Sequence, residues 1–315
     1  MDDVLIVGGG IAGLQAAIQL GRYERRVLVL DRGGGRSALC RNYSNILGWP
    51  DGVSGQDLRD RGRMHASRYG VRFQDDEIVR AGKLPEGGFR LEGRRGQYEG
   101  RTLLFATGIT DRLPELDGLN ECLGRSVFIC PDCDGYETRS RRTAVIGSGD
   151  AGARMALALS YWCRDLTLVN HEPEHAVSGD LARRLQEKDI PVIPQRVVRL
   201  TQQNGFIESL LLEDGSEVKA QVGFAALGGA AVNSDLARQL GAERLENRHV
   251  LADPRSKMSS VPGVWIAGDI GVHSEQVTVA MAEGTLCAIW MHKYLMEHWP
   301  VNPHQPPNLR SITSR

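Results

Sequence analysis

Cys130-Pro131-Asp132-Cys133 sets two thiols three positions apart, a spacing that one backbone turn can close into a disulfide. Three chemistries compete for such a pair: a redox disulfide, a zinc site, and two buried structural thiols. Zinc needs further ligands, usually a second Cys-x-x-Cys or a Cys/His pair. The other four cysteines, at 40, 122, 163 and 287, are scattered and form no second pair. The redox reading therefore carries the most weight.

Two glycine clusters supply a second kind of chemistry. Gly8-x-Gly10-x-x-Gly13 follows the apolar run Val4–Val7 and opens a stretch with helical apolar spacing, Ile11–Leu20. Asp31 ends the next apolar run, Val27–Leu30. Each part has a physical task. Gly8 permits the tight turn, Gly10 lets a pyrophosphate approach the backbone, and Gly13 lets helix and strand pack closely. The helix N-terminus offers unpaired N–H groups to phosphates, and a carboxylate such as Asp31 accepts from a ribose diol.

The same grammar returns in Thr143–Ile146, Gly147-Ser148-Gly149-Asp150-Ala151-Gly152, a helix over Ala151–Trp162 and a strand over Leu166–Val169. Gly8 to Asp31 spans 23 positions, and so does Gly147 to Asn170. The matched spacing predicts two nucleotide-binding βαβ units, hence two domains of one kind. Between them, Asp75–Gly100 reads as edge hairpins, and Phe206–Val222 as a hairpin turned at Asp214-Gly215. Val264–Ala267 reads as a late strand and Val277–Leu295 as a long helix.

Bulk properties narrow the class. The 315 residues suffice for two ordinary domains, and 41% apolar with 24% charged residues suits a globular chain. A net charge of -1 gives no global attraction for nucleic acid or an acidic membrane. No run reaches the ~18 apolar residues of a membrane span, and two aspartates precede Val4 where a signal peptide would carry positive charge. A cytoplasmic setting is the expectation.

Further motifs tie the first glycine cluster to FAD. Leu103–Phe105 runs into Ala106-Thr107-Gly108, and Val264–Ala267 runs into Gly268-Asp269. Both resemble signatures of flavoproteins with two dinucleotide-binding domains. The order of FAD fingerprint, Ala-Thr-Gly, Cys-x-x-Cys-Asp-Gly, second glycine turn and Gly-Asp resembles the low-molecular-weight thioredoxin reductases from the N-terminus to about Lys293. The resemblance implies an α/β fold, an FAD domain with an inserted Rossmann-like domain, and a homodimer. Domain bounds are placed at 1–112 with 246–315, and at 113–245. The resemblance makes Cys133 the flavin-side thiol, Cys130 the interchange thiol, Asp134 the proton donor to a departing thiolate, and Asp269 a ligand of the ribityl–phosphate region. It also places Asn45, Gln276 and the Val277 backbone near the flavin. The implied partner is a thiol/disulfide protein such as a thioredoxin, or a small dithiol. No metal is expected.

The chain departs from that family at the second site, formed by Gly147, Gly149 and Gly152. There the family carries His-Arg-Arg-x-x-x-Arg to grip the 2′-phosphate of NADPH. This chain reads Asn170-His171-Glu172-Pro173-Glu174-His175-Ala176, with two carboxylates and no arginine. Glu275 also stands where the family carries arginine. NADPH is therefore disfavoured, and NADH, a second FAD or no ligand remain open. Cys-Pro-x-Cys-x-Gly-Tyr-Glu resembles two side branches: dithiol oxidases, which carry His where this chain has Asp134, and diflavin-linked disulfide oxidoreductases. The second is the closer fit. Two competing readings stand beside it. One is an ordinary NAD(P)H-dependent thioredoxin reductase using Arg154, Arg183 or Arg184; the other is a redox-inactive FAD-binding regulatory protein. From Trp299 the tail holds four prolines in 17 residues and cannot continue a regular helix; a disordered end and a fold-back over the flavin or the second pocket are the two alternatives.

Overall fold

A computed structural model describes residues 1–300 apart from His273. The chain forms two compact units. One comprises Met1–Gly33, Gly62–Gly108 and the chain from Ser234; the other comprises Gly34–Arg61 and Ile109–Asn233.

The first unit is built on a seven-stranded sheet. Arg72–Asp75, Val27–Asp31, Asp2–Val7 and Gln97–Phe105 lie parallel in that order. Parallel strands covered on both faces need apolar side chains at every position, which is why Val4–Val7 and Val27–Leu30 read as unbroken apolar runs. Gln97–Phe105 is long enough to hold two neighbours along one side. Its first half pairs antiparallel with Phe89–Gly93, and its second half pairs parallel with Val264–Ile266. Phe89–Gly93 continues to Ile78–Lys83, the hairpin expected within Asp75–Gly100. The Ile11–Arg22 helix crosses the long Val277–His298 helix so closely that a Cβ on Gly284 would stand 2.3 Å from the Ala12 carbonyl oxygen. That helix runs three residues past the expected end, and Trp299 packs against Tyr294 and the core. The rest of the proposed tail cover, 301–315, lies outside the described residues.

The second unit holds a parallel five-stranded sheet in the order Val192–Ile193, Leu166–Asn170, Thr143–Gly147, Val222–Ala226, Val127–Phe128. A separate antiparallel sheet contains Val197–Gln203, Phe206–Leu212 and Glu217–Lys219, turned at Gly215 as its Asp-Gly signal predicts. Gly34–Arg61, inside the expected FAD-domain bounds of 1–112, makes specific contacts within this unit. Arg36 donates to Asp111 at 2.8 Å, Arg41 donates to the Leu123 carbonyl at 3.3 Å, and a Cβ on Gly124 would sit 2.2 Å from the Leu39 carbonyl oxygen. Asn45 lies exposed in this segment.

Candidate active site

In the first unit the C-terminal ends of four strands converge. Val7 is in register with Leu30 and Phe105, and Ile266 with Phe105. That edge brings Gly8, Gly10, Gly13, Asp31, Thr107, Gly108, Gly268 and Asp269 into one unit, with Gln276 capping and Val277 starting the long helix. The glycines are required by contact. Gly8 has φ +107°, and a Cβ there would lie 2.3 Å from the Ala106 carbonyl oxygen. A Cβ on Gly13 would lie 2.0 Å from the Gly8 carbonyl oxygen, and one on Gly9 would meet the Asp31 carboxylate at 2.8 Å. Gly10 contrasts with these, because among the described residues nothing lies within 4 Å of where its Cβ would be. A tight turn with an open second glycine at a helix N-terminus fits the pyrophosphate of FAD, and the Asp31 carboxylate lies beside that turn.

The cysteine pair belongs to the second unit. Val127–Phe128 leads into Cys130, which caps a one-turn helix over Pro131–Asp134. Proline suits the first helical position because no N–H is needed there. Cys130 Sγ accepts the Cys133 N–H at 3.2 Å, and the two cysteines are joined as a disulfide with Cα atoms 5.3 Å apart. The 3₁₀ turn Gly135–Thr138 follows, and Gly135 leaves room only for the Trp162 ring, 2.6 Å from a Cβ placed there. Burial, with the Glu137 carboxylate nearby, pushes the Asp134 carboxyl up to about 7. Cys40 is a thiol of the same unit, and burial with the Asp134 charge pushes it up to about 11.

The second glycine turn forms as expected but is covered. Gly147 and Gly152 touch backbone to backbone, a Cβ on Gly147 falling 2.4 Å from the Gly152 Cα. Gly149, the counterpart of Gly10, has φ +46°, and the carbonyl oxygens of Ala176 and His175 stand 3.2 and 3.3 Å from its Cβ position. This chain's own backbone thus lies over the glycine that a pyrophosphate would approach. The cover is tied down. Asn170 Oδ1 accepts the Gly149 N–H at 2.8 Å, and its amide donates to the His175 carbonyl at 2.9 Å. Ser148 Oγ meets His175 Nδ1 at 2.8 Å, and Asp150 accepts the Ser178 N–H at 2.7 Å. Hydrogen bonding to Ser148, with the Arg112 guanidinium paired beside it, holds the Glu172 carboxyl below its ordinary value. Glu174 is held by Arg196 at 2.8 Å.

Neighbouring histidine and arginine side chains are engaged within the same unit. His171 accepts the Val197 N–H at 3.0 Å, so it holds the neighbouring strand. Arg154 pairs with Asp150, and Arg183 with Asp180 and Glu187, all on exposed surface. The arginines that do reach the loop are Arg112, 60 positions from Glu172, and Arg196, 22 positions from Glu174, which no local motif signals.

A family model described as pyridine nucleotide-disulphide oxidoreductase matches residues 2–284. The chain belongs to that family. The thioredoxin reductase of Treponema pallidum (strain Nichols) is 28% identical over 295 residues, spanning 91% of this chain and 94% of the relative. Thioredoxin reductase tcpT of Claviceps purpurea (strain 20.1) is 30% identical over 296 residues, spanning 90% of each. The crystal structure of HlmI superposes with a TM-score of 0.84 at 29% identity, covering 94% of this chain and 93% of that one. The chain is thus a thioredoxin reductase-like flavin-dependent disulfide oxidoreductase with a two-domain Rossmann-type fold, and the family implies FAD and a nucleotide site. Among the described residues no helix is long and apolar enough to cross a membrane.

Proposed function

We propose that this protein exchanges electron pairs between a flavin and a partner dithiol or disulfide through Cys130 and Cys133, and that it does not draw them from NADPH. FAD would be held by Gly8, Gly10, Gly13, Asp31, Thr107, Gly108, Gly268 and Asp269, with Asn45, Gln276 and Val277 assigned by resemblance. When bound, it would supply two-electron exchange with the cysteine pair. The chain's own residues carry the thiol chemistry. The Cys130 thiolate attacks one sulfur of a partner disulfide, forming a mixed disulfide and releasing the partner's other sulfur as thiolate. Cys133 then attacks Cys130 Sγ, restoring the internal disulfide and releasing the second partner thiolate. Asp134, with its carboxyl near 7, can hand a proton to a departing thiolate at neutral pH and recover one from Cys133. A dithiol partner runs the same steps backwards, the direction following the difference in reduction potential.

The observation that carries the NADPH-independent reading is the His175–Ala176 backbone over Gly149. Two carboxylates, Glu172 and Glu174, stand where a 2′-phosphate would need cations. NADH or a second FAD would need the same ground. An NAD(P)H-dependent thioredoxin reductase is the second reading, supported by the relatives' names and by Arg112 at the loop. A thioredoxin as partner and a homodimer belong to the first reading on resemblance alone, and a cytoplasmic setting on the lack of a signal-like N-terminus and of a long apolar run.

Anaerobic titration separates the readings. Dithiothreitol should bleach the flavin band in the native protein and not in Cys133→Ser, while stoichiometric NADPH or NADH leaves it unchanged. Rapid bleaching by NADPH would establish the second reading. A flavin inert to dithiothreitol in the native protein would leave only the redox-inactive one.

A further inference from the structure

Beneath the Gly268-Asp269 turn lies an ion pair that the family signatures do not mention. Lys257 Nζ meets Glu283 Oε1 at 2.8 Å, with side-chain exposures of 19% and 6%. Glu283 projects from the Val277–His298 helix, and its Oε2 accepts the Gly268 N–H at 2.9 Å in a buried bond. Lys257 sits at φ +61°, a left-handed conformation uncommon for a side chain of this size. Two backbone bonds hold it there: its N–H donates to the Asp253 carbonyl at 2.8 Å, and its carbonyl accepts the Ile266 N–H at 3.0 Å. Gly268 has φ +77°, with the Ala12 methyl 3.0 Å from any added Cβ.

Val264–Ile266 ends just before Gly268, so the Gly268 N–H leaves the sheet ladder and needs an acceptor inside the protein. A neutral Ser or Asn would suffice for a simple turn. A carboxylate makes a stronger, more directional bond, but a buried carboxylate requires a cation. Lys257 supplies it, held in place by strained backbone. A turn merely closing a loop gives no reason for a buried carboxylate with a half-buried cation beside it. A turn that must hold the next residue, Asp269, in one orientation before a ligand arrives does give one.

We propose that Glu283 and Lys257 are a positioning pair for FAD: they orient the Gly268 amide and thereby preset Asp269. The inference rests on the reading that Asp269 binds FAD. The test uses apoprotein prepared from the full chain, its near-UV circular dichroism checked, titrated with FAD by flavin fluorescence. Glu283→Ala removes the acceptor and should weaken FAD binding about 10- to 100-fold, the range that loss of one charge-assisted bond implies. Glu283→Gln keeps an acceptor but strands the Lys257 cation, and should fall between. The double variant Lys257→Met with Glu283→Gln keeps the acceptor and removes both charges, and should recover to within about threefold of native. Apoprotein melting temperatures are recorded alongside.

Reduced melting temperature with unchanged FAD affinity would overturn the proposal, leaving the pair a role in folding only. So would a double variant no tighter than Glu283→Gln. If Glu283→Ala does not fold, the other two variants still decide. Asp269→Ala is the control for the underlying reading: if it binds FAD as tightly as native, the assignment of Asp269 fails and the positioning role falls with it, whereas affinity lost in Asp269→Ala but unchanged in the Glu283 variants overturns the positioning pair alone.

Discussion

Replacing Asp134 with Asn should remove a pH dependence that the native protein carries in both stability and rate. In the folded chain this carboxyl moves from the ordinary 3.8 to about 7, chiefly because burial penalises its charge. The folded state therefore holds the proton more tightly than the unfolded state. Stability contributed by this group is present at low pH, falls as pH rises from about 4 to 7, and stays low above 7. The displacement corresponds to roughly 4 kcal/mol at full ionisation, an upper figure because the residue keeps partial exposure. Urea unfolding of the oxidised proteins at pH 5, 6, 7 and 8 isolates the effect, since other groups cancel in the difference between native and Asp134→Asn. The variant should gain relative stability step by step to pH 7 and no further. Single-turnover reduction of a small disulfide should show the kinetic side. The native rate should drop as pH passes 7, while the variant is slower by ~10²-fold or more below 7 and nearly flat. Parallel stability curves with matching rate profiles would refute the assignment of Asp134 as the proton donor.

Two further outcomes follow from close backbone contacts. Gly13→Ala places a methyl against the Gly8 carbonyl, and should cost more than the ~1–3 kcal/mol of ordinary overpacking because backbone has to move; the purified variant should carry little flavin by its visible-to-ultraviolet absorbance ratio, and native flavin content would contradict the cradle. Replacing 171–177 by a Gly/Ser loop uncovers Gly149, and should raise the affinity for ADP, read by calorimetry, at least tenfold over native; no gain would remove the covering loop as the reason for NADPH independence.

Both glycine turns and the cysteine helix were legible because each demand is local. A Cβ at Gly8, Gly13 or Gly147 collides with backbone a few positions away or with the adjoining strand, so the residue type itself records the geometry. Two cysteines three apart with proline between them fit a single turn whatever surrounds it. The parallel strands were legible for a related reason, since burial on both faces leaves no polar position to obscure the run.

The rest depended on encounters between distant segments. Gly34–Arg61 falls inside the expected FAD-domain bounds of 1–112, whereas the Arg36–Asp111 pair and the Arg41 bond to Leu123 lie within the second unit. Composition showed that 171–176 lacks arginines; only the fold lays its backbone over Gly149 and clamps Glu172 with Arg112. Lys257 and Glu283 belong to no motif in the sequence and become an ion pair with a buried carboxylate because a strand end and a long helix meet there. Local steric rules write themselves into residue type, whereas a charge acquires its meaning from the neighbours and the loss of water that tertiary packing imposes.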